Sequence, residues 1–101
     1  MSRKDERMTA VIAHEAANFI AREAQSDPLI TVTRAAAGAR ADRITVFVSV
    51  FPAEKTAAAL SFLDRRREAF SDYLKSHARL GPLPRVEFLP ESGEGLSRPA
   101  V

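Results

Sequence analysis

Met8, Ile12, Ala16, Phe19 and Ile20 recur at steps of one to four residues. That spacing predicts a helix over residues 4–25 with one apolar face. Asp27-Pro28 follows it, and the residue before a proline avoids the α region, so the helix is expected to end there. The runs LITVT and ITVFVSVF are β-branched and aromatic, the mark of strands. In the second run Ile44, Val46, Val48 and Val50 alternate onto one face, and Thr45, Phe47, Ser49 and Phe51 onto the other. Two phenylalanines on that other face imply a partly covered surface or a contact surface, and core packing is expected for at least one. The link AAAGARADR holds Gly38 and turns polar at its end, so a bulge, a turn or a loose hairpin is expected.

Pro52 suits a first helical turn, and a helical pattern runs from about Ala53 to about Arg79 before Gly81, Pro82 and Pro84 punctuate it. RVEFL then reads as a short third strand. The order α-β-β-α-β predicts an α+β fold, a hairpin and a third strand in one sheet with helices packed on one face. Residues 1–91 are expected to form a single domain and 92–101 a disordered tail. The second helical segment is too long for such a sheet. About 27 residues make a helix of ~40 Å, whereas strands of about eight residues reach ~27 Å. A break is therefore expected near its middle, at DRRREA.

That stretch also concentrates charge. Residues on a helix turn by about 100° each, so Arg65, Arg66 and Arg67 cannot share a face. With Leu60 at zero, Leu63, Phe70 and Leu74 fall at about 300°, 280° and 320°, and Arg67 at about 340°. Arg67 would lie inside the apolar stripe, where a charge must snorkel or the helix must redirect it.

Composition narrows the classes. The chain has 101 residues, 46% hydrophobic and 28% charged, ordinary for one globular domain. It has no cysteine, which excludes disulfides and thiolate chemistry. No apolar run approaches the ~20 residues of a membrane span, and MSRKDERM does not read as a signal peptide. A cytoplasmic protein is expected. The net charge of +2 hides a distribution: residues 31–89 carry ten Lys/Arg against six Asp/Glu, and the flanks five against seven. HEAAN, His14 to Asn18, lacks the second histidine of a zinc-protease helix. No nucleophile elbow, phosphate-binding glycine loop or carboxylate pair appears. No enzyme, catalytic residue, metal, cofactor or small-molecule substrate is expected.

TVTRAAAGARADRITVFVSVF and RLGPLPRVEF resemble two motifs of the ribosome-binding factor A family, T-V-x-x-V-x-V-S-x-D-L-x-x-A-x-V-x-V-S and R-L-R-x-x-P-x-L-x-F. Arg79, Leu80, Pro84 and Phe88 fall in register, as do Leu63 and Leu74 upstream. The resemblance spans roughly residues 4–91. It implies a type II KH-like fold, α-β-β, two helices joined by a kink, then β. It also implies a protein that binds the small ribosomal subunit and its rRNA and assists rRNA maturation without chemistry; a monomer is expected. The sequence departs at the kink, where the family's Ala-x-Gly is replaced by Arg66-Arg67-Glu68. The family's Ser and Asp in the strand link are Gly38 and Arg40 here.

The candidate RNA contacts are Arg65, Arg66, Arg67, Lys75, Arg79 and Arg85, with Arg40 and Arg43 in the strand link. Guanidinium groups match phosphate geometry. Lys75 and Arg79, four apart, are expected to share a helix face, although a helix C-terminus favours cations in any case. The alternative from another class is a protein-interaction module whose exposed strand face or edge pairs with a partner, the cations only solubilising it. Phe47 and Phe51 are the strand-face candidates for stacking on RNA bases.

Overall fold

The computed structural model describes residues 3–25, 27–40 and 42–91. The tail expected over 92–101 lies outside the described residues. Helix α1 (Arg3–Glu23) is followed by strand β1 (Leu29–Ala37), strand β2 (Arg43–Phe51), a 3₁₀ turn (Ala53–Lys55), helix α2 (Thr56–Arg65), helix α3 (Arg67–His77) and strand β3 (Arg85–Pro90). The sheet order is β1-β2-β3, with β1 antiparallel and β3 parallel to β2. A parallel pair requires a crossover, and α2 and α3 supply it. This is the α+β, KH-like arrangement expected from the sequence.

All helices cover one face of the sheet. Ile44, Val46 and Val48 from β2 and Phe88 from β3 meet Ile12, Ala16, Phe19 and Ile20 of α1 and Leu63, Phe70 and Leu74 of the second helical segment. Phe70, fully buried, sits 5.2 Å from Phe19 and 5.9 Å from Phe88 between ring centroids, the tilted geometry aromatic pairs favour.

Three local expectations are corrected. Strand β1 does not stop after LITVT but runs on through Ala37, so most of the first part of the link is strand. A register shift between Val32 and Arg34 leaves Thr33 as an extra residue. Ile30 and Val32 face the core before it, Ala35 and Ala37 after it. The bulge inverts the alternation, which is why the pattern looks broken at Thr33. Second, Pro52 precedes a 3₁₀ turn rather than α2 itself; buried Thr56 starts α2 and donates its hydroxyl to the Ala53 carbonyl at 2.6 Å. Third, α3 ends at His77, and Ala78 is extended at φ −142°, ψ 147°.

Phe47 and Phe51 do not reach the core. Both lie on the helix-free face, Phe47 half-buried and Phe51 73% exposed. No helix of the described residues is long and apolar enough to cross a membrane.

Candidate nucleic-acid interface

The break falls at Arg66, within the expected stretch. Arg66 leaves the helix at φ −101°, ψ 8°, the bridge region that non-glycine residues tolerate. Its N–H donates to the Leu63 carbonyl at 3.0 Å, closing α2 with a 3₁₀ turn, and its carbonyl accepts from Phe70 N–H at 2.9 Å, opening α3. No positive φ occurs at this junction, so no glycine is required. Leu63 and Phe70, on either side, are both fully buried and hold the two helices on the sheet.

One residue out of helical phase separates the three arginines. Arg65 is exposed and donates to Ser61 Oγ at 3.1 Å. Arg66 turns toward the C-terminus of α1, 3.6 Å from the Glu23 carboxylate, with its guanidinium 4.8 Å above the Phe62 ring. Arg67 keeps its stem in the apolar stripe. Its Nε is buried 3.2 Å from Asp64 Oδ1, a charge contact not aligned as a hydrogen bond, while the side chain as a whole is 37% exposed. Arg67 is therefore not turned fully outward: it snorkels past Phe70.

Arg65 and Arg67 line a cleft of about 440 Å³ between the helix junction and the start of β3. Phe70, Pro84 and Val86 contribute apolar walls, and Asp64 and Glu68 share the rim. Arg85 lines the same cleft from β3. It is also the register partner of Arg43 on β2. Like charges on neighbouring strands repel, and no described acidic side chain is paired with either. Arg40, exposed, lies in the turn leading to β2, next to Asp42, whose carbonyl accepts the Arg85 N–H at 3.0 Å. The structure thus gathers Arg65, Arg67 and Arg85 at one cleft; Arg43 neighbours it as the register partner of Arg85, and Arg40 is not among its lining residues.

The other candidates are placed elsewhere. Arg66 lines a second groove on the α1 side, with Glu23, Ile30 and Phe62. Lys75 is exposed on α3, 4.0 Å from Asp72. Arg79 lies past the end of α3, so the expectation that Lys75 and Arg79 share a helix face is corrected: the helix ends at His77 and the backbone is extended at Ala78. His77 is exposed and stacked on Tyr73 with ring centroids 3.9 Å apart.

Sequence reading missed Arg34. Its guanidinium lies 3.9 Å above the Phe47 ring, and its Nε donates to Glu91 Oε2 at 3.2 Å. The bulge residue Thr33 donates to the other Glu91 oxygen. These contacts, chiefly the Thr33 hydrogen bond, hold the Glu91 carboxyl below the usual glutamate range against a smaller opposing effect of desolvation. Only the bulge puts Arg34 opposite Phe47, so strict strand alternation could not reveal the stack.

No protein-family model matches the chain, and no curated relative does. Solved structures do. Ribosome-binding factor A from Thermus thermophilus is similar at 25% identity and a TM-score of 0.74, covering 85% of this chain and 94% of that one. A homology model of the Thermus thermophilus factor, fitted into a cryo-EM map of a 30S–RbfA complex, matches at 24% identity and a TM-score of 0.66, over 89% and 93% of the two chains. A Thermotoga maritima protein, a candidate ribosome-binding factor A, matches at 20% identity and a TM-score of 0.63, over 83% of each chain.

Proposed function

We propose that the chain is a member of the ribosome-binding factor A family, whose fold it shares, and that it binds the small ribosomal subunit. It acts as a monomer on immature small-subunit rRNA, holding it by phosphate contacts while folding or end-processing finishes, and it catalyses no reaction. The observation that carries this reading is the convergence of Arg65, Arg67 and Arg85 on one cleft from three elements, α2, α3 and β3. Arg43 extends it in register with Arg85. Arg40 is a further contact from the turn. Guanidinium forks at such a margin grip phosphates without reading sequence. Arg66, Lys75 and Arg79 are assigned secondary roles, because the first is held by Glu23 and the others lie away from the cleft.

Crosslinking the protein to small subunits and mapping the contacted nucleotides tests the proposal. Enrichment of rRNA nucleotides, reduced when Arg65, Arg67 and Arg85 are replaced by alanine, is expected. Crosslinks confined to ribosomal proteins would contradict it.

A further inference from the structure

The helix-free face of the sheet is organised along its length. At one end stand Arg43 and Arg85, side by side on neighbouring strands. In the middle the Arg34 guanidinium lies 3.9 Å over the centre of the Phe47 ring. At the other end Phe51 is 73% exposed beside its register partner Leu29, which is 53% exposed. Thr31 and Ser49, register partners and both exposed, lie between the two aromatic positions.

We propose that this face binds a single-stranded RNA segment, stacking its bases on Phe51 and on the Arg34–Phe47 pair. The inference rests on the reading of the cleft as an RNA interface and extends it to a second surface. Two observations select RNA as the occupant. First, the face is continuous with the cleft: Arg85 lines the cleft and is also the register partner of Arg43, so a backbone leaving the cleft past Arg85 meets one further cation, Arg43, on the central strand. Both acids on the face are already engaged, Glu91 by Thr33 and Arg34, and Glu87 by Thr45. Second, the side-chain types suit bases. Phe47 and Phe51, four residues apart on one strand, stand ~13 Å from each other. Aromatics on a sheet face can stack two or three bases, and hydroxyls between them can meet base edges. Leu29, Phe51 and Leu89 are the exposed large apolar side chains among the described residues.

The test is titration of the full chain with a single-stranded hexanucleotide RNA carrying a fluorescent adenine analogue, alongside binding to small subunits. Wild type is expected to quench the analogue by stacking. Phe51→Leu keeps the apolar bulk and removes the ring; it should bind the oligonucleotide about tenfold more weakly, with an unchanged salt dependence. Phe51 is exposed, so the fold should survive, and the circular dichroism spectrum checks this. Unchanged quenching and affinity in Phe51→Leu would overturn the inference, as would a wild type that leaves the oligonucleotide unbound. A wild-type dimer in sedimentation equilibrium that Phe51→Leu dissolves would assign the face to a second copy and equally overturn it. If the cleft arginines prove essential for subunit binding while Phe51→Leu behaves as wild type, this inference falls alone. If wild type binds neither RNA nor subunits, the proposed function falls with it.

Discussion

Arg67 carries two demands at once. Its stem packs in the stripe of Leu63 and Phe70, while its guanidinium lies against Asp64 at a cleft. The helical phase of the sequence already predicted the first demand. The second depended on β3 arriving beside the junction, which no local pattern encodes. Half-exposed ion pairs contribute little: Glu23→Ala, which frees Arg66, should lower stability by less than about 1 kcal/mol in urea denaturation. Phe70→Ala empties the centre of the aromatic cluster and should cost about 3–5 kcal/mol by the same measurement. A loss as small as that of Glu23→Ala would mean that Phe70 is not the centre of the core.

At the scale of elements, the junction between α2 and α3 bends without a glycine. Helix length against strand length made the break legible, and the break fell at Arg66 because only one residue needs to leave helical geometry, at a φ any residue adopts. Restoring the family's glycine is therefore expected to harm rather than help. Glu68 lies in the first turn of α3, where an acid is favoured, so Glu68→Gly should lose about 1 kcal/mol of stability. Thermal denaturation would show it, and a stabilised variant would contradict the bridge-region account of the bend. Strand β1 was less legible. Its bulge inverts the alternation at Thr33, so the pattern ended where the strand did not, and the Arg34–Phe47 stack stayed hidden with it.

Across the whole molecule, Glu91 ties the end of β3 to β1 over the central strand through Thr33 and Arg34. Because its carboxyl is held below the usual glutamate range, the tie contributes stability above the unfolded-state pKa and loses it as pH falls through the folded value. Between about pH 6 and pH 3, wild type should lose more stability than Glu91→Gln; parallel profiles would show that the tie contributes nothing. The order of elements and the apolar faces of α1 and β2 were legible from periodicity. The grouping of cations was not, because Arg43, Arg65, Arg67 and Arg85 are brought together by the parallel pairing of β2 with β3 and by the crossover that packs the junction on it. The claim that this grouping holds rRNA is tested most directly by the salt dependence of binding to small subunits. Each phosphate contact to a single strand contributes about 0.7 to the slope of log affinity against log salt. Replacing Arg65, Arg67 and Arg85 by alanine together should make that slope shallower by about two; a slope equal to that of the wild type would contradict the account.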